Sequence, residues 1–396
     1  MNTKIHTPSR CIMSVATWGL ALLAMSGLTG CADSGQGGVA SPVAPPTQHY
    51  AYVANQTDNA ISIYKIDTAT GKLEANGSVS VGRGTGPTLV AVDPSNRFAY
   101  VANNYSHTVS AYRIDTTTGA LTPNGAPVGA GLNPISLKVD PTGRFLYVAN
   151  QGGGVSAFSI NSDGTLKSIG DVAAGVEPFS VAVEPTGRFV YVTSGDNSKP
   201  RDPADPAYDP TYIHKDDIHA FSIHATTGVL TPVGVPVPAP AIPVNITVGP
   251  FGKFAYVASG ISSSVTAFAI NNTTGALTLV GTLPTGGSAP RAVAVESSGR
   301  FAYVVNVGSN DVSIFSINPT TGTLTPIPVN PIVAAAPGAH ARFLTVDATG
   351  KFVYVTYFDF LYVSTFSINP ATGELTDLGT EPTGAGSVGI TVTNAL

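Results

Sequence analysis

Along most of the chain, apolar residues alternate with polar ones in short runs, the period-two pattern of half-buried β-strands. The runs come in a constant order. An inner run such as Ala292-Val293-Ala294-Val295 or Val181-Ala182-Val183 is followed by a turn, Asp140-Pro141-Thr142-Gly143 or Glu296-Ser297-Ser298-Gly299. The acid starts such a turn, Pro presets φ and Gly takes the left-handed position; where Asn96 replaces Gly, it is the other residue that tolerates positive φ. A second run follows, Phe-Ala-Tyr-Val-Val-Asn at 301–306 or Phe-Val-Tyr-Val-Thr-Ser at 189–194, and then a third, Val-Ser-Ile-Phe-Ser-Ile-Asn at 312–318. A further turn, Asp-Thr-Thr-Thr-Gly at 115–119 or Asn-Pro-Thr-Thr-Gly at 318–322, leads into a short outer run beginning at Leu-Thr. Pattern and turn chemistry together predict four antiparallel strands per unit.

The unit recurs. Its Tyr-Val marker stands at Tyr52, Tyr100, Tyr147, Tyr191, Tyr256, Tyr303 and Tyr354, seven copies with spacings of 48, 47, 44, 65, 47 and 51 residues. Four strands on a period in the forties predict an all-β fold, a seven-bladed β-propeller, as a single domain over residues 50–396. The first copy begins at its second strand, and the last residues, Ser387 to Val392, form an inner strand with no blade after it. Pairing the two ends beside Tyr52 would close the ring without an unpaired edge.

Residues 1–30 stand outside the repeat. Lys4 and Arg10 make a basic start, Cys11 to Ala24 is mostly apolar but too short to span a bilayer, and Leu28-Thr29-Gly30-Cys31 ends it. This predicts an export signal. The Leu-Thr-Gly-Cys end resembles a bacterial lipobox, which implies cleavage before Cys31 and acylation of that cysteine. Ala32 lacks the Asp that retains lipoproteins at the inner membrane, so the outer membrane of the cell envelope is expected. Residues 32–49, rich in Gly, Ser, Pro and Ala, read as a flexible tether. Removal of the signal takes Trp18, the three Met and Cys11 with it, leaving Cys31 as the sole thiol, so no intrachain disulfide or cysteine metal site can form. The chain carries 19 Lys and Arg against 24 Asp and Glu. Two of those cations lie in the signal, leaving seventeen against 24, a balance that disfavours nucleic acid and a polybasic grip on lipid.

Two blades depart from the pattern. In blade four, Ser194 to Asp217 is a long charged insert containing four Pro and His214. Its Asp202, Asp205 and Asp209 could offer oxygens to Ca²⁺, though without the glycine and alternation of a calcium loop; the alternative is a solvated surface loop. In blade seven, a polar turn is replaced by Tyr357-Phe358-Asp359-Phe360-Leu361-Tyr362, whose aromatics must pack on the blade-four insert, a ligand or a partner. Basic residues Arg97, Arg144, Arg188, Lys253, Arg300 and Lys351 follow the first turns and are expected to pair with local acids at the surface. Strand direction places the insert and the aromatic loop on one face with Glu177, Asn245, Arg291, His340 and Arg342, all at the mouths of inner strands. Two arginines converging on a cavity suit a carboxylate or phosphate, and His340 could move a proton near neutral pH.

The unit P-x-x-V-A-V-x-P-T-G-R-F-x-Y-V-x-N … V-S-x-F-x-I-x-x-x-T-G-x-L-T resembles the seven-bladed lactonase family, which includes bacterial 6-phosphogluconolactonase and fungal muconate lactonising enzymes. It also overlaps the YVTN-type surface propellers. The resemblance covers Tyr50 to Asn394. By it, Pro290-Arg291 matches the family's Pro-Arg and His340-Ala341-Arg342-Phe343 a late His-Pro-Arg site, while Ala292 and Val307 stand where a family His and acid are typical. Two functions are therefore expected as alternatives. One is lactone hydrolysis at the channel mouth by His340, Arg342, Arg291 and Glu177, with Asn245, His214, Tyr357, Phe358, Phe360 and Tyr362 binding ligand and no cofactor required. The other is a non-catalytic envelope module that binds a small carboxylate or an envelope protein. The sequence lacks a Gly-x-Ser-x-Gly elbow, a His-Glu-x-x-His, a Walker loop and a dinucleotide fingerprint.

Overall fold

Strand pairing follows the period-two pattern throughout the computed structural model, which describes Met1 and residues 48–201, 203–328, 332–333 and 339–394. The signal, the lipidation position Cys31 and nearly all of the tether lie outside the described residues. Seven antiparallel sheets form the blades of a propeller. In blade one the order from the axis outwards is Ser387–Val392, His49–Asn55, Ala60–Ile66 and Leu73–Ser80. The predicted closure is present: Tyr52 pairs with Thr391, Val53 with Ile390 and Ala54 with Gly389. Beyond the ladder, the Thr393 N–H donates to the Tyr50 carbonyl at 2.9 Å and the Tyr50 N–H to Thr393 Oγ1 at 3.0 Å.

The inner strands of blades two to seven are Pro87–Val92, Pro134–Val139, Glu177–Val183, Pro243–Val248, Pro290–Val295 and Ala341–Val346. In blades two, four and six the outer strand breaks into two pieces, such as Leu121–Pro123 and Val128–Gly129, both paired with the third strand. The interruption, at Asn124-Gly125-Ala126-Pro127, is of a composition that disfavours a continuous ladder.

Cores lie between neighbouring blades, and the marker tyrosine spans each junction. All seven marker rings are fully buried. Each hydroxyl donates to a glycine carbonyl in the next blade: Tyr52 to Gly119, Tyr100 to Gly164, Tyr147 to Gly228, Tyr191 to Gly275, Tyr256 to Gly322, Tyr303 to Gly373, and finally Tyr354 back to Gly71 at 2.9 Å. Burial pushes these phenols well above their ordinary pKa, so they stay neutral donors. The glycines are required twice over. Gly373 has φ +77°, and a Cβ there would meet the Phe301 ring at 2.4 Å.

The first turns correct one expectation. The acid does not pair with the neighbouring base: Asp93 accepts from the backbone N–H groups of Arg97 at 2.7 Å and Phe98 at 2.6 Å. The Arg97 guanidinium instead lies over the Phe98 ring at 5.0 Å, as Arg144 does over Phe145 and Arg300 over Phe301.

Gly373→Ala forces both a left-handed alanine and a ring collision and is expected to cost on the order of 3 kcal/mol. Tyr303→Phe strands only a buried carbonyl and should cost about 1–2 kcal/mol. Urea midpoints of the two variants against wild type check the ranking; a loss from Tyr303→Phe as large as that from Gly373→Ala would overturn it.

Candidate functional site

Every inner strand shifts register near its mouth, between Pro290 and Ala292 in blade six and between Ala341 and Phe343 in blade seven. The extra residues at these bulges are Arg291 and Arg342. A bulge turns its unpaired residue off the alternating pattern, and here it brings both arginines to the lumen. They line a cavity of about 290 Å³ on the axis. Blades one to three contribute amides and hydroxyls to its wall: Gln56, Asn104 and Gln151, each just past its blade's second strand, with Thr88 and Ser136. No Asp or Glu lines this cavity among the described residues.

Neither arginine pairs with a carboxylate; the ion pairs among the described residues are Arg201–Asp216, His219–Asp217 and His340–Asp359. Arg342 Nε is buried without a hydrogen-bond partner, and its guanidinium carbon stands 5.3 Å over the Phe358 ring. Burial lowers the Arg342 pKa, against the opposing field of Asp359. Arg291 is pushed down to about 10, first by burial and then by the like charge of Arg342. Both remain cations at neutral pH. Two adjacent, under-solvated positive charges without a carboxylate in direct contact make a seat for an anion.

The remaining candidates divide. His340 sits at the rim with its side chain 56 % exposed, in the left-handed region at φ +47°, its Nδ1 bonded to Asp359 Oδ2. Asp359, which the sequence passes over, therefore faces both His340 and Arg342. Asn245 lines the cavity but its amide is spoken for: Nδ2 donates to Ser180 Oγ at 3.2 Å and Oδ1 accepts from the Val293 N–H at 3.0 Å. It ties three inner strands together. Glu177 is outside the cavity wall and accepts from Asn197 at 3.1 Å.

The aromatic loop packs on its own blade, not on the insert. Tyr357 is not an open-loop residue: it ends the strand Phe352–Tyr357, is fully buried, and donates to Ser364 Oγ at 2.9 Å. Its ring meets Tyr362 at 5.1 Å, and Phe360 meets Tyr362 edge-on at 5.6 Å. Phe360 and Tyr362 lie against the core between blades six and seven. Only Phe358 reaches towards the lumen, through Arg342.

The blade-four insert folds about Asp196, which is fully buried. Burial alone would raise its pKa, but hydrogen bonds from Ser198, the Lys215 N–H and the Tyr212 hydroxyl hold it well below the usual carboxylate range. Arg201 pairs with Asp216 at 2.8 Å and donates to the Asp196 carbonyl at 2.7 Å. His214 meets that carbonyl through Nδ1 at 2.9 Å and stands edge-on to Tyr212, away from the cavity wall. Asp205 and Asp209 accept from backbone N–H groups of their own turns, while Asp202 lies outside the described residues. Among the described residues no three His, Cys, Asp or Glu side chains gather as a metal would need.

A family model for the lactonase, 7-bladed beta-propeller, matches residues 34–132, 126–197 and 243–337, leaving out the insert. The chain belongs to the seven-bladed lactonase family. Among solved structures, this lactonase-family propeller is similar to a proposed 6-phosphogluconolactonase from Bacteroides uniformis, at 21 % identity and TM-score 0.72 over 88 % of this chain and all of that one. A proposed 6-phosphogluconolactonase from Bacteroides fragilis gives 21 % identity and TM-score 0.73 over 89 % of this chain and all of that one. The periplasmic gluconolactonase PpgL of Pseudomonas aeruginosa gives 20 % and 0.70 over 87 % and 99 %. At such identities the likeness establishes the fold. No curated protein matches the chain.

Because Arg291 is a desolvated cation facing another cation, Arg291→Met should stabilise the ligand-free family member by about 1 kcal/mol. Thermal melts check this: the variant melts higher without anion, and added butyrate raises the wild-type melting temperature more than that of the variant.

Proposed function

We propose that this lactonase-family protein hydrolyses a lactone of a small sugar or organic acid at the channel mouth. The observation that carries this is the unpaired Arg291–Arg342 pair in the axial cavity. Gln56, Asn104 and Gln151 in the same cavity wall offer donors and acceptors suited to ring hydroxyls. One structural neighbour, the periplasmic PpgL, is a gluconolactonase, an enzyme of the same chemical class.

The lactone carbonyl oxygen lies towards the two guanidinium groups. Asp359 holds His340 through Nδ1, leaving Nε2 to accept a proton from water as the water oxygen bonds to the carbonyl carbon. The electron pair moves onto the carbonyl oxygen, where the arginines stabilise it. Collapse breaks the ring C–O bond, and the proton on Nε2 passes to the departing alkoxide. The product is a hydroxy acid whose carboxyl proton goes to solvent.

A second reading, a propeller that binds an organic anion without turning it over, is favoured by one observation: no carboxylate lines the cavity to act as a base in contact with ligand. A panel of five- and six-membered sugar and organic-acid lactones separates the two. Hydrolysis by wild type, reduced about a hundredfold in kcat/KM by Arg342→Ala and strongly by His340→Gln, supports catalysis. Absence of turnover, with butyrate binding that depends on Arg342, leaves the binding module.

We further propose that the protein works in the bacterial envelope, its signal of residues 1–30 removed and Cys31 acylated. The support is the Leu28-Thr29-Gly30-Cys31 sequence ahead of a low-charge stretch. Cys31→Ser should move the protein from the membrane fraction to the soluble fraction of lysed cells; unchanged partitioning would overturn the anchor.

A further inference from the structure

Beneath the arginine pair lies a second cavity of about 330 Å³, which shares Leu89, Ser136, Ser180, Asn245 and Phe343 with the upper one. Its wall is made of inner-strand residues that are apolar or hydroxylated, with two Asn. Lys138 is the single charged residue lining it among the described residues. The position is specific. Lys138 pairs with the marker Tyr147, and the residues at the same register in the other six blades are Thr391, Ala91, Ala182, Thr247, Ala294 and Thr345. Six blades thus present a small neutral side chain to the lumen at this level and one presents a four-carbon arm ending in an ammonium. No ion pair neutralises it, and neither cavity wall carries a carboxylate that could. Its side chain is exposed to the solvent of the channel. An unpaired cation there can meet an anion that enters, where the alanines and threonines of the other blades offer no charge.

Its placement relative to the arginines completes the picture. In a ring of seven, blade three stands across the axis from the junction of blades six and seven, which carry Arg291 and Arg342. Lys138 is at the register of Ala294, three residues deeper than Arg291, or roughly 7–10 Å at about 3.3 Å per residue with allowance for the bulge. The channel therefore has two cationic levels on opposite walls, separated by the uncharged belt of Asn245, Ser180 and Phe343.

We propose that Lys138 is a second anion-binding point, and that the ligand of this channel is an extended molecule with an acidic group at each end. One end lies on Arg291 and Arg342, and the other reaches down to Lys138. The proposal rests on the arginine pair binding the acyl end. A lactone that already carries one carboxylate or phosphate would place it at Lys138, and ring opening would generate the second anion at the arginines. The product is then a dianion matched to both levels.

Linear diacids from glutarate to suberate are the probes, each compared with the monoacid of equal carbon number, pentanoate to octanoate, by titration calorimetry on the full chain. In wild type, the diacid of matching length should bind about tenfold more tightly than its monoacid, the value of one additional charge-assisted contact. Lys138→Met should lower that diacid to the affinity of its monoacid while leaving the monoacid unchanged. Lys138→Arg should keep most of the preference, and Arg342→Ala should weaken both acids. Thermal melts of each variant confirm folding. Equal binding of diacid and monoacid by wild type, or a preference that survives in Lys138→Met, overturns the role of Lys138 and leaves the arginine seat standing. Monoacid binding indifferent to Arg342→Ala, or no binding of either series, overturns the arginine seat itself.

Discussion

The hydrogen bond from each marker tyrosine to a glycine carbonyl of the next blade is the joint on which the molecule depends. A blade by itself is a small twisted sheet with two faces to cover, and neither is covered until a neighbour docks. The phenol spans that junction, and the left-handed glycine lets the neighbouring turn come close enough to receive it. Because the seventh tyrosine, Tyr354, returns to Gly71 of the first blade, the series closes into a circle. The pairing of Ser387–Val392 with His49–Asn55 seals the same junction from the axis side. Closure is what makes a lumen, and the lumen is where the unusual chemistry lies.

Within that ring the inner strands do two things at once. Their ladders hold the sheet, and the residue each bulge leaves unpaired points to the axis, so each blade supplies one side chain to the mouth through a single local register shift. Five of these positions are Thr88, Ile135, Phe179, Val244 and Val388; two are arginines. Polarity is thus distributed around the rim by single-residue choices on a nearly symmetric frame. The result is a cavity with guanidinium groups from blades six and seven and amides from blades one, two, three and five.

The charges in the lumen act against the stability of the empty protein. Arg291 and Arg342 are under-solvated and repel one another, while Lys138 is exposed to the channel. A chain with an overall excess of acids keeps those acids out of both cavities. Such an arrangement is tolerated because the blade joints carry the stability elsewhere, and entry of an anion would relieve it. Phe358 and Asp359 act on these side chains: one supports the Arg342 plane, the other offsets part of its isolation and orients His340.

Much of this was written in local sequence. Alternation, turn residues and the seven Tyr-Val markers determine strands, blade number and closure, because each depends on a short stretch repeated with little change. Arg291 and Arg342 were legible as well, since a repeat makes any deviation at an inner-strand mouth visible. What needed the tertiary structure was the direction and partner of each side chain. By sequence Tyr357 belongs to the loop, yet it is core, because the strand runs one residue further than its polar-to-aromatic change suggests. The acids of the first turns bind backbone amides, and their arginines lie on phenylalanine, a choice between partners that proximity in sequence leaves open. Lys138 is, by local sequence, one polar residue in an alternating strand. Only the closed ring shows that its side of the strand faces a walled channel, where no acid pairs with its charge.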